Sequence, residues 1–146
     1  MAMAEIQKLK ILNRLKSVYR GNSVDSRKES AAEHTWSALM LADYYSSLVS
    51  KNLNKLKVYE LLMYHDVVEI LAGDTPLDPN NELEDQPIKE LKAAETLRGE
   101  LPDSLQDKFW ALFTEFEEER TIEARFARAI DTLDAIIQGC VIHIYG

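Results

Sequence analysis

Apolar residues return every three or four positions along almost the whole chain, and nothing alternates convincingly with a period of two. Helices that bury one face satisfy such spacing. Ile6, Leu9, Leu12 and Leu15 mark a helix over about 4–20, followed by the loop GNSVDS. Trp36, Met40, Tyr44 and Leu48, at i, i+4 spacing, mark a second over about 30–50, with Ser30 and Glu33 placed as a capping box. Val58, Leu61, Leu62, Val68 and Ala72 mark a third over about 56–72, which stops at Gly73. After the loop DTPLDPNNELEDQP comes a fourth over about 87–99. A fifth is introduced by Pro102-Asp103-Ser104 and turns Leu105, Phe109, Leu112, Phe113 and Phe116 inward. The sixth, over about 120–143, carries Ile122, Phe126, Ile130, Leu133 and Ile137. With 146 residues, no repeat and no linker, the expectation is one all-α domain, a bundle of about six helices around a single core.

Composition narrows the functional classes. A chain with 46% hydrophobic and 29% charged residues is globular in make-up. There is no run of about 18 apolar residues, so no membrane partner is expected. The N-terminal MAMAEIQKLK lacks the apolar stretch of a signal peptide. The single cysteine, Cys140, cannot close an internal disulfide, which fits a cytoplasmic setting. A net charge of −8 argues against a nucleic-acid polymer as partner, because such binding rests on neutralising phosphates. The charge is uneven, with +4 on residues 1–30 and −12 on the rest. An anionic ligand would be met by the N-terminal part or by a bound cation; otherwise the basic face is simply solvated.

The stretch YHDVVEILAGDTP, residues 64–76, places His65, Asp66 and Glu69 in a helix that otherwise looks like core, then adds Asp74 after the glycine. An unpaired buried carboxylate is costly, so these groups are paired, protonated or bound to a metal. A lone histidine on an apolar face is most often a satisfied core residue. Here, however, His34 lies near the start of the second helix beside Trp36, and Asp131 and Asp134 interrupt the apolar ARAIDTLDAII of the sixth. Imidazoles and carboxylates on three helices can converge inside a bundle. Mixed nitrogen and oxygen donors suit one divalent transition ion (Mn, Co, Fe, Ni or Zn) better than Ca or Mg. Periodicity does not choose between Asp131 and Asp134, although Asp134 lies nearer the apolar stripe.

The order of His34, then His65-Asp66, then a distant Asp131 resembles the HD-domain metal-dependent phosphohydrolases. It is most similar to their branch of YfbR-type 5′-deoxynucleotidases and HD-domain-containing protein 2. The phrases SRKESAAEHTW, HDVVEILAGDTP and ARFARAIDTLDAI carry the resemblance, which covers about residues 5–140. It implies a single HD-domain bundle in which His34, His65, Asp66 and Asp131 are the metal ligands, with Asp131 preferred over Asp134. It implies Glu69 as the acid that works on the attacking water or leaving group, and Asp74 as an acid beside the sugar or the water. Arg20, at the end of the first helix, and Arg27, in the loop before the second, match residues close to the substrate phosphate. Glu33 matches an outer acid behind His34. The implied reaction is hydrolysis of (deoxy)nucleoside 5′-monophosphates to nucleoside and phosphate. A phosphodiesterase, a triphosphohydrolase or a non-catalytic metal- or nucleotide-binding sensor are the alternatives.

Other residues are expected to be structural. Trp36 and the Phe109, Phe113 and Phe116 stripe are read as core, His143 as structural or exposed, and Asp134 as a polar edge residue that remains the fallback ligand. The chain ends at VIHIYG, about fifteen residues past Asp131, whereas longer relatives continue with further helices. Either this is a short member or a C-terminal segment is missing. A shorter core leaves an apolar face in need of cover, so a homodimer is expected.

Overall fold

The computed structural model describes residues 2–49, 51–73 and 86–145, with side chains as far as residue 139. It begins with α1 (Ala2–Leu9) and a 3-10 helix (Lys10–Ser17), followed by a hairpin of β1 (Tyr19–Val24) and β2 (Arg27–Ser30). Then come α2 (Ala31–Val49), α3 (Lys55–His65), the single turn α4 (Glu69–Ala72), α5 (Gln86–Glu100), α6 (Asp103–Glu118) and α7 (Ile122–Tyr145). The core lies where α3 meets α2, α6 and α7. Val58, Leu61 and Leu62 of α3, Leu97 of α5, Phe109 of α6 and Ala124 and Ala127 of α7 are fully buried there. Of the stripe expected on α6, Phe109, Leu112, Phe113 and Phe116 are buried and Leu105 is partly so.

The first expected helix does not continue to residue 20. Residues 19–24 alternate between exposed and half-buried positions, and β1 pairs antiparallel with β2. Val24 faces Arg27 across a two-residue turn whose first residue, Asp25, takes the left-handed conformation (φ 51) that short polar side chains tolerate. A bulge between Tyr19 and Ser23 shifts the register. Arg20 therefore sits in a strand and points to its inner side, where a helix end was expected. The Val18 carbonyl accepts a 2.7 Å hydrogen bond from the Ala31 N–H, which ties the hairpin to the start of α2.

On α2 the buried face is the opposite of the expected one. Trp36, Met40, Tyr44 and Leu48 are 66%, 53%, 65% and 68% exposed, so Trp36 is not core. Ala31, His34, Thr35, Ala38, Ala42 and Ser46 are buried instead. Small side chains let α2 approach α3 and α7 closely, and a count of apolar periodicity is blind to size. The start of the helix is as expected. Ser30 Oγ accepts from the Glu33 N–H at 3.2 Å and donates to Glu33 Oε1 at 3.0 Å.

The third expected helix is two helices. α3 is capped by Asn54 Oδ1, which accepts from the Lys57 N–H, and it ends at His65. Asp66 caps it with φ −99 and ψ 0, and a turn through residues 66–68 leads into α4. Gly73 ends α4 at φ 75, a conformation that favours glycine. On α7, Ile130 is buried as expected, while Ile122 is 46% exposed and Ala124 and Ala127 take the inner positions. No helix among the described residues is long and apolar enough to cross a membrane.

Candidate metal centre

The break after α3 brings the adjacent His65 and Asp66 to the same point. His65 Nδ1 contacts the Leu62 carbonyl one turn earlier, which leaves Nε2 aimed away from its own helix. Asp66, at the cap, lies with an oxygen 3.2 Å from that Nε2. From the first turn of α2, His34 Nε2 comes within 2.6 Å of Asp131 Oδ1 on α7. The same Asp131 oxygen is 3.2 Å from His65 Nε2. One donor atom each from His34, His65 and Asp66 lies within 4.8 Å of the other two, and all three residues are buried. Three helices thus meet around two imidazoles and two carboxylates.

The electrostatics of this cluster call for positive charge. Burial pushes the His34 pKa down, but its hydrogen bonds with Asp131 and Asp134 outweigh that and raise it to about 9. Burial opposes the charged form of His65 as well, yet Asp66 and Asp131 raise it to about 10. For Asp131, burial favours the neutral acid, and hydrogen bonds from the two histidines prevail, holding it well below the usual carboxylate range. Asp66 is lowered too, its own burial overcome chiefly by His65. The carboxylates thus hold protons on both imidazoles. A divalent cation offers the same compensation with neutral imidazoles, and nitrogen plus carboxylate donors are what such an ion takes. The residues present fit the group.

Two further carboxylates surround the cluster. Asp134, expected at a polar edge, is 1% exposed, and its Oδ2 lies 2.7 Å from His34 Nδ1. One turn beyond Asp131, it faces the same way, towards the stripe that the sequence already favoured for it. Glu29 of β2 is 2% exposed, and burial raises its pKa. Sequence reasoning passed over Glu29, which lies in the wholly polar RKES of β2, where no apolar pattern marks a buried position. Arg20 spans the two sides: its Nη1 donates to Asp66 Oδ2 at 3.3 Å, and its Nε lies 3.5 Å from Glu29 Oε1.

Of the other expected residues, Arg27 stands apart. Arg27 is turned to the surface, donating to both carboxylate oxygens of Glu33 at 2.7 and 2.9 Å. Glu33 is thereby occupied by Arg27 and Ser30, and the Arg27 hydrogen bond brings its pKa down to about 2. Lys16, Tyr19 and Lys28 line a 340 Å³ surface cleft with this pair. Glu69 is half-buried at the first position of α4, where its N–H donates to the Asp66 carbonyl at 2.9 Å. Asp74 lies outside the described residues, as does the side chain of His143.

A helical bundle that gathers histidines and aspartates from three helices defines a class of buried metal centre. Residues 12–143 match the HD domain family, and the chain belongs to it. It is 29% identical to the 5′-deoxynucleotidase HDDC2 of Xenopus laevis over 136 residues, which cover 91% of this chain and 66% of that protein. It is 30% identical to the 5′-deoxynucleotidase YfbR of Escherichia coli over 131 residues, covering 82% of this chain and 63% of that one. The chain thus spans about two thirds of the length of the curated relatives it matches. The crystal structure of a predicted metal-dependent phosphohydrolase from Magnetospirillum magnetotacticum superposes with a TM-score of 0.81 at 32% identity, covering 94% of this chain and 69% of the other.

Proposed function

We propose that the chain hydrolyses nucleoside 5′-monophosphates, with the deoxy forms preferred, to nucleoside and inorganic phosphate. The observation that carries this is the convergence of His34, His65, Asp66 and Asp131, with the Arg20 cation seated on Asp66. The names of the relatives, 5′-deoxynucleotidase and metal-dependent phosphohydrolase, support the same reaction class. The four residues are assigned to one divalent transition ion, Mn, Co, Fe, Ni or Zn. Such an ion, when bound, supplies Lewis acidity, polarising the phosphoryl group and acidifying water.

The chain's own residues account for the remaining steps. The Arg20 guanidinium holds the phosphoryl oxygens and offsets the charge that builds on them as water attacks phosphorus. The bond from phosphorus to the 5′-oxygen breaks, and that oxygen needs a proton. Glu69, next to the Asp66 turn, is assigned to take the proton of the attacking water and pass it to the leaving oxygen. Asp74 is assigned to the sugar or the water. Arg27, engaged by Glu33, is assigned to the rim of the substrate site, with Arg20 as the principal phosphate contact.

A test strips the metal, reloads the chain with Mn or Co, and assays ribo- and deoxynucleoside mono-, di- and triphosphates. Phosphate release from the monophosphates is the expected result. Release from none of them sinks the enzyme reading, and release only from triphosphates moves the chain to another activity.

A cytoplasmic setting fits the lone Cys140. The reading also includes a homodimer, supported by the exposed Trp36, Met40, Tyr44 and Leu48, because a helix apolar on both faces calls for cover. Tyr44→Lys is expected to convert a dimer into a monomer in sedimentation velocity. A wild-type chain that already sediments as a monomer removes the dimer.

A further inference from the structure

The two imidazoles of the cluster are held from behind by different groups. His65 Nδ1 faces a neutral backbone carbonyl, that of Leu62. His34 Nδ1 faces a carboxylate, Asp134 Oδ2, at 2.7 Å. Asp134 is 1% exposed, and the hydrogen-bonding partner found for it among the described residues is His34. A carboxylate placed so deeply in an apolar helix interface is costly unless it is compensated. Nothing in the packing of α7 requires an acid there, since its buried neighbours on that face are Ala124, Ala127 and Ile130.

We infer that Asp134 is a positioning residue for the metal centre, fixing the tautomer and orientation of His34 so that Nε2 is the ligating atom. This rests on the proposed metal reading and adds a residue to it. With Asp134 accepting from Nδ1–H, a His34 ring that gives up its other proton to bind a metal has its lone pair on Nε2, which faces Asp131 and, at 3.8 Å, Asp66. The negative charge behind the ring also strengthens Nε2 as a donor, which a neutral carbonyl behind His65 does less well. The centre is therefore asymmetric. Of the two imidazoles, His34 is the one whose strength depends on a side chain behind it, and so the one a single substitution can weaken without touching a ligand.

The test is calorimetric titration of Mn(II) and Co(II) into the metal-stripped full chain, with Asp134→Asn and Asp134→Ala beside the wild type. Circular dichroism confirms that each variant is folded. Asp134→Asn is isosteric and still offers an acceptor, so it decides the matter if the alanine variant does not fold. Removing such a partner typically weakens a site about 10–100-fold. The expected result is a loss in that range for Asp134→Ala, a smaller loss for Asp134→Asn, and altered Co(II) visible absorption in both. Binding within about twofold of wild type in the folded variants overturns the inference while leaving the metal centre standing. Failure of the wild-type chain to bind either ion overturns the metal centre, and this inference with it.

Discussion

Each of two arginines on the hairpin meets a glutamate, and the weaker-looking pair matters more. Arg27 and Glu33 meet in a two-pronged hydrogen bond of 2.7 and 2.9 Å, with side chains 60% and 36% exposed. Arg20 and Glu29 approach only to 3.5 Å, but their side chains are 19% and 2% exposed. Distance alone would rank the first pair higher. Water reverses that order, because exposed ions are already solvated and gain little from each other. A buried carboxylate such as Glu29 depends on its neighbours for compensation, and its raised pKa, caused chiefly by burial, records the strain of being charged there. The pairs also differ in what lies beyond them. Arg20 reaches on to Asp66, whereas Arg27 ends at Glu33 and the Lys28 carbonyl, on the outside of the α2 cap.

The sharpest way to break this comparison is Arg20→Ala. It leaves Glu29 buried with its nearest cation gone and Asp66 with one donor fewer. Removing one partner of a buried pair costs about 3 kcal/mol, or a fall in Tm of roughly 6–12 °C for a chain of this size. Loss of a charge-stabilising donor at the reacting group is worth about a hundredfold in rate. The expected outcome is therefore a joint loss, in Tm by calorimetry and in kcat/KM on a deoxynucleoside monophosphate. A variant with wild-type kcat/KM and only a lowered Tm would make Arg20 a structural residue and take away its role at the phosphate.

The difference between the pairs also marks where the sequence could be read. Helix existence, the start of α2 at Ser30 and the stop at Gly73 were legible, because capping and chain reversal are local events. The meeting of His34, His65 and Asp66 with an aspartate of the sixth helix was legible too, because ionisable residues in apolar settings need partners, but it was the resemblance to the HD-domain family, and not periodicity, that preferred Asp131 to Asp134. The hairpin was not legible. Six residues of β1 around Gly21 give a weak period of two, and the strand becomes recognisable only once Arg20 has Glu29 to face. The orientation of α2 was misread for a different reason. Its two faces are both apolar, and the choice between Trp36 and Ala38 as the inner residue is made by the space that α3 and α7 leave. The break at Asp66 escaped periodicity too, because α4 resumes after one turn with Ile70 again buried. Asp134 could be placed near the apolar stripe but was expected at a polar edge. What could not be seen was its partner, a nitrogen 100 positions earlier in the chain.

The smallest expected effect comes from Arg27→Ala, and it sharpens the comparison from the other side. The variant removes an exposed guanidinium and frees Glu33, whose carboxylate keeps the Ser30 hydroxyl and can turn to water. Helix α2 keeps its cap, because the bond from the Glu33 N–H to Ser30 Oγ does not involve Arg27. Tm is therefore expected to stay within about 2 °C of wild type. With Arg27 at the rim, kcat/KM should change by less than about threefold, and what change there is should fade with added salt, which screens exposed charges over about 10 Å. A loss of tenfold or more at constant Tm would show that Glu33 surrenders Arg27 when substrate arrives. Arg27 would then join Arg20 among the proposed phosphate contacts, and the surface cleft it shares with Lys16, Tyr19 and Lys28 would become part of the substrate site.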